Sequence, residues 1–116
     1  MAKIYHLSTC KTCQKVIAQL EGADLEMQDI KFESITPEQL DEMKELAGSY
    51  EALFSRRAMK YRSMGLADKD LTEADYRRLI LEEYTFLKRP VVVVDDQIFM
   101  GSSKKSVEGA KSALGV

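Results

Sequence analysis

The sequence predicts a single α/β domain over residues 1–116, in the order β-α-β, a helical middle, then β-β-α. Three observations carry this. A short apolar stretch runs directly into a helical stripe that opens with Cys10-Lys11-Thr12-Cys13. The middle of the chain has helical spacing and strong helix-start signals, and after Arg89-Pro90 the period changes abruptly at Val91-Val92-Val93-Val94.

Lys3 to Leu7 reads as the first strand. From Lys11 onward Cys13, Val16, Ile17 and Leu20 fall at i, i+3, i+4 and i+7, one face of a helix ending near Gly22, and Leu25 to Ile30 alternates as a second strand. Thr36-Pro37-Glu38-Gln39 supplies an N-cap, a proline at N1 and a glutamine at N3 ahead of Leu40, Met43 and Leu46, with a stop at Gly48. Tyr50 to Met64 reads as two short helical pieces ending at Gly65. Thr72 then caps a helix with Tyr76, Leu79 and Ile80 inward. The valine run is a buried strand, Asp95-Asp96 a turn, and Gln97 to Met100 the returning strand. Ser103 caps a last helix that buries Val107, Ala110 and Leu114.

With 116 residues, 45% hydrophobic and 31% charged, the chain has the size and composition of one domain with one core. A net charge of -2 argues against a general nucleic-acid or membrane-surface binder, which needs a basic excess. No apolar run approaches the ~18 residues of a transmembrane helix, and Met1-Ala2-Lys3-Ile4-Tyr5 lacks the apolar core and cleavage site of a signal peptide. The expected setting is the cytoplasm, where thiols stay reduced and a cysteine pair serves catalysis or sensing rather than structure.

The chain's two cysteines are that pair. Cys10 falls at the helix N-terminus, where unpaired N–H groups and the positive dipole end favour a thiolate, and Cys13 turns inward. An exposed, acidic thiol attacks and a half-buried neighbour resolves, so Cys10 is the expected nucleophile and Cys13 the resolving cysteine. A zinc site needs about four ligands, and His6 with scattered carboxylates shows no such spacing, so no metal is expected. A structural disulfide here closes a loop too short to add much stability.

Cys-x-x-Cys at the head of the first helix, with Pro90 just before the third strand, resembles the thioredoxin-like fold with a helical insertion at about 34–88. That resemblance implies a mixed four-stranded sheet and makes Pro90 the candidate for a cis-proline beside the redox site. More narrowly, Ile4-Tyr5-His6 leading to Cys10, Ala67 to Leu87 after Met64-Gly65-Leu66, and Leu87-Lys88-Arg89-Pro90 running into four valines resemble the family of glutaredoxin-linked arsenate reductases and Spx-like transcriptional regulators. The resemblance covers nearly the whole chain.

It implies a thiol-based oxidoreductase without a tightly bound cofactor, taking electrons from glutathione with glutaredoxin or from thioredoxin. The expected substrate is an oxyanion, arsenate, or a disulfide. His6, four residues before Cys10, is similar to the histidine that arsenate reductases keep near their nucleophile. Of the three arginines that bind the oxyanion, Arg89 matches one; Ser55 and Gly101 stand at the other two positions, with Arg56 and Arg57 beside Ser55. Arg56, Arg57, Pro90 and Thr12 are therefore the expected substrate-binding residues, and Cys10, Cys13, Arg89 and His6 the catalytic ones. Cys13 itself resembles the two-cysteine regulators, whose output is contact with RNA polymerase. Those regulators carry a basic tail beyond the position of Val116, which favours the enzyme.

Overall fold

The computed structural model describes residues 2–116. The elements are β1 (Ala2–His6), α1 (Lys11–Gln19), β2 (Glu26–Asp29), α2 (Pro37–Ala47), α3 (Met59–Ser63), α4 (Glu73–Glu82), β3 (Val91–Val94), β4 (Gln97–Met100) and α5 (Lys104–Leu114). Short 3-10 turns lie at Glu51–Leu53, Leu66–Asp68 and Tyr84–Phe86. The chain divides into two compact units: one runs to Ser34 and resumes at Arg89–Val116, and the other is Ile35–Lys88.

The first unit is built on a four-stranded sheet of order β2-β1-β3-β4. β1 runs parallel to β2 and antiparallel to β3, and β3 and β4 form a hairpin, so the sheet is mixed. Ile4 sits opposite Val92. On their face pack Val16 and Leu20 from α1 and Val107 and Ala110 from α5, an apolar cluster worth roughly 1.5–3 kcal/mol for each large side chain it buries. This is the inward stripe that the helical spacing of both segments requires. At Gly109 a Cβ would stand 2.7 Å from the Phe99 ring, so only glycine lets α5 lie this close to β4.

The ends of the first elements differ by a few residues from the expectation. β1 stops at His6 because the Leu7 carbonyl turns away to accept the Cys10 N–H at 3.1 Å. β2 stops at Asp29, whose carbonyl accepts the N–H groups of Phe32 (3.2 Å) and Glu33 (2.8 Å) and folds the chain over. α1 ends at Gln19 rather than near Gly22, and Gly22 lies in the following turn at φ +94°.

The second unit is helical. Thr36 caps α2 as a full capping box with Gln39, and Gly48 closes it in the left-handed conformation at φ +98°. Thr72 caps α4 in the same way through Asp75. The Asp41 carboxylate on α2 receives a two-pronged contact from Arg77 on α4 at 2.8 and 3.2 Å, and the Tyr50 hydroxyl donates to it as well. Phe54 stacks on Phe86 and meets the rings of Tyr61 and Tyr76, forming the unit's aromatic centre. Met43 is buried here, while Met59 and Met64 are exposed.

Candidate active site

The β1 to α1 connection is only four residues long, which fixes where the cysteines emerge. Leu7 to Cys10 is a tight turn, and Cys10 is the N-cap of α1 with extended backbone at φ -88° and ψ 116°. Its carbonyl accepts the Gln14 N–H at 3.0 Å and starts the helix. Cys10 is partly exposed, and Cys13, one turn on, is 0% exposed. Both thiols are free.

Chemically identical residues thus acquire opposite character. Partial burial pushes the Cys10 thiol up, but the backbone N–H and thiol of Cys13, the Arg89 guanidinium and the Thr12 N–H outweigh it and hold Cys10 below its ordinary value. Burial drives Cys13 the other way, to about 11, with the neighbouring Cys10 adding to the rise and Leu7 and Arg89 opposing it.

Arg89 and Pro90 enter from the start of β3, and the Arg89–Pro90 peptide bond is cis. Because Tyr5 pairs with Val91, Pro90 continues the register alongside the end of β1, and its carbonyl accepts the Gly101 N–H at 2.9 Å. The His6 side chain is 8% exposed, and its Nδ1 has no hydrogen-bond partner. The imidazole sits across from Asp29, whose carboxyl is held low by the Ser8 hydroxyl and by the Lys31 and Ser8 N–H groups, with a further contribution from His6.

The first unit therefore brings Cys10, Cys13, Thr12, His6, Arg89 and Pro90 to one end of the sheet. Arg56 and Arg57 belong to the helical unit. The Arg56 guanidinium donates to Glu51 at 2.7 Å and to the Tyr76 hydroxyl at 3.1 Å and lies 5.8 Å over the Tyr76 ring, whereas Arg57 is exposed. Sequence reasoning missed Asp29 and Gln14, both bonded to the nucleophile's turn; an aspartate ending a strand and a glutamine on an exposed helix position carry no distinguishing pattern. Among the described residues no group of three or more His, Cys, Asp or Glu side chains is placed to hold a metal, and no helix is long and apolar enough to cross a membrane.

A two-cysteine helix head beside an arginine and a cis-proline on a mixed sheet has clear relatives. The ArsC family profile matches residues 5–110. The chain belongs to the ArsC family. An arsenate reductase of Neisseria meningitidis serogroup A is 23% identical over 111 residues, 91% of this chain and 94% of that protein. Among solved structures, the YFFB (PA3664) protein superposes with a TM-score of 0.82 at 23% identity, covering 98% of this chain and 99% of that one. Arsenate reductase from Vibrio cholerae gives 0.80 at 21% identity and 97% coverage of both. The fold is thioredoxin-like, and the protein is an arsenate reductase-like, thiol-dependent reductase of this family.

Proposed function

We propose that the protein reduces an oxidised small molecule, arsenate or a disulfide, with Cys10 as nucleophile and Cys13 as resolving cysteine. The observation that carries this reading is the unequal placement of the pair: one sulfur at the open head of α1 beside Arg89, the other fully buried one turn below.

With a disulfide, the Cys10 thiolate attacks one sulfur, the second leaves as a thiolate, and Cys13 attacks Cys10 Sγ to expel the first. With arsenate, Cys10 displaces one oxygen, which leaves as water after protonation. Cys13 then attacks Cys10 Sγ, the S–As electron pair stays on arsenic, and arsenite departs. Arsenic gains two electrons and the dithiol becomes a disulfide. Arg89 carries the charge of the oxyanion or of the leaving thiolate, and Thr12 and Pro90 border the substrate. His6, buried at the end of β1 next to the turn that leads to Cys10, is assigned the role of favouring the thiolate.

The pair times itself. Bond formation at Cys10 abolishes the thiolate that helps keep Cys13 protonated, while the opposing effects of Leu7 and Arg89 persist, so Cys13 becomes more acidic only once there is an intermediate to resolve. Glutathione with glutaredoxin, or thioredoxin, returns the disulfide to the dithiol in the cytoplasm, and no tightly bound cofactor takes part.

The test is turnover of wild type, Cys10→Ser and Arg89→Gln with arsenate and with a low-molecular-weight disulfide, each donor system supplied in turn. The reading expects one substrate class to be reduced, no turnover in Cys10→Ser and a roughly ten-fold or greater loss in Arg89→Gln. A protein that reduces neither, yet captures RNA polymerase subunits in only one redox state, is instead a switch of the Spx-like kind.

A further inference from the structure

We propose that Asp29 and Gln14 are positioning residues that clamp the Ser8 peptide and thereby hold Cys10 at the N-cap against the first-turn N–H groups of α1. Ser8 is exposed, yet both of its backbone groups are held by side chains from different elements. Its N–H donates to Asp29 Oδ2 at 3.2 Å from the end of β2, and its carbonyl accepts Gln14 Nε2 at 2.7 Å from the first turns of α1. Ser8 lies inside the turn closed by the Cys10 N–H and the Leu7 carbonyl, the only covalent connection between β1 and the nucleophile.

Asp29 is itself fixed. Its Oδ1 accepts the Lys31 N–H at 3.1 Å, its carbonyl takes two further N–H groups, and its backbone is in register with His6. The clamp thus ties three elements, β1, β2 and α1, to one peptide. Cys10 is made acidic by the Cys13 N–H and thiol, by Arg89 and by the Thr12 N–H, and the two N–H groups among these act over a hydrogen bond's length and lose most of their effect if the N-cap shifts or frays.

The charge on Asp29 cannot be the agent, because the sign is wrong. A carboxylate near a thiol disfavours the thiolate, so removing its charge alone makes Cys10 more acidic, whereas removing the clamp makes it less so. The other groups acting on Cys10, the Cys13 thiol and Arg89, are left in place by substitutions at 14 and 29.

The inference builds on Cys10 as the reactive thiol, and its test needs no substrate. The pH dependence of Cys10 alkylation by iodoacetamide is followed by intact mass, with the adduct mapped to Cys10, in the full chain carrying Gln14→Ala, Asp29→Ala or Asp29→Asn. Gln14 is exposed, so its variant keeps the test open if Asp29→Ala fails to fold. We expect Gln14→Ala and Asp29→Ala each to raise the Cys10 pKa by roughly half a unit or more, read as an about three-fold slower reaction well below the pKa, and Asp29→Asn, whose single amide oxygen keeps an acceptor for the Ser8 N–H while giving up the Lys31 N–H, to rise less than Asp29→Ala. An unchanged pKa in Gln14→Ala, or Asp29→Asn matching Asp29→Ala in either direction, overturns the proposal. A raised pKa in a protein that turns over no substrate would sink the reductase reading and leave the clamp standing.

Discussion

Replacing Cys13 by alanine separates its two roles. The Cys13 thiol donates to Cys10, and the alanine variant loses that donor while keeping the backbone N–H groups and Arg89. A hydrogen bond to a charged group is worth about 1.5–3 kcal/mol, but S–H is a weak donor and Cys10 is partly exposed, so roughly 0.5–1 kcal/mol is the appropriate scale. That corresponds to a rise of about half a pKa unit at Cys10. Cys13→Ser keeps a donor and should hold Cys10 near its wild-type acidity. Kinetically the two variants should agree: with no reductant supplied, each releases one equivalent of product thiol from a disulfide substrate, where wild type releases two, and stops at the Cys10 mixed disulfide, which intact-mass measurement detects. Alkylation profiles and a burst assay read the two effects independently. An alanine variant whose Cys10 titrates as in wild type refutes the thiol hydrogen bond as a cause of acidity, and one that still releases the second equivalent refutes Cys13 as the resolving cysteine.

The high pKa of Cys13 makes stability fall in alkali. The folded chain holds this thiol proton up to about 11 against an ordinary 9.0, so the contribution is complete below about pH 9 and is lost as pH rises towards 11; urea midpoints of wild type should drop over this window more than those of Cys13→Ser, and parallel curves would contradict the assignment. Asp41 acts at the other end of the scale. Its bonds from Arg77 and Tyr50 hold its pKa at about 2 against 3.8, so the stability it confers is present above about pH 4 and is lost as pH falls through 2, and acid titration of Asp41→Asn should be flatter there. Gly109→Val places a branched side chain where a Cβ already meets the Phe99 ring at 2.7 Å, and thermal unfolding should show a loss of about 1–3 kcal/mol, relieved in part by Phe99→Ala; no loss would mean that α5 lifts away from β4 freely.

Much of this architecture is written in local chemistry. Thr36, Pro37, Gln39 and Gly48 mark the ends of α2 because each satisfies a backbone group or conformation through its own side chain, or the lack of one, and such signals survive in sequence. The valine run is legible for a related reason: β3 is an inner strand with Val91, Val92 and Val94 buried, so it carries no polar alternation. The ends of β1 and β2 are less legible. They are decided by tertiary bonds, from Cys10 N–H to Leu7 and from Phe32 and Glu33 to Asp29, in which the backbone participates and side-chain identity matters little. The same contrast divides the site. Cys10 and Cys13 announce themselves by spacing, but the Asp29 contact to Ser8 depends on β2 returning beside β1 and the Gln14 contact on how the turn enters α1, and nothing in either residue's neighbours encodes that.

The division of labour in the cysteine pair is a property of one helix end rather than of two separate environments. Both sulfurs feel Arg89, and each feels the other, so neither can be tuned alone. What differs is depth: Cys10 meets the N–H groups of the first turn with part of its surface in solvent, and Cys13, closed off from solvent one turn on, bears the larger desolvation. Moving the pair one residue along the helix would exchange neither role but destroy both, because the N-cap position alone combines exposure with convergent donors. The four-residue connection from β1 therefore matters as much as the motif. Lengthening it by a glycine after Ser8 would leave Cys-x-x-Cys intact while releasing the Leu7 to Cys10 turn, and a Cys10 pKa that nonetheless stayed depressed would show that the helix end, without its tether to the sheet, is sufficient.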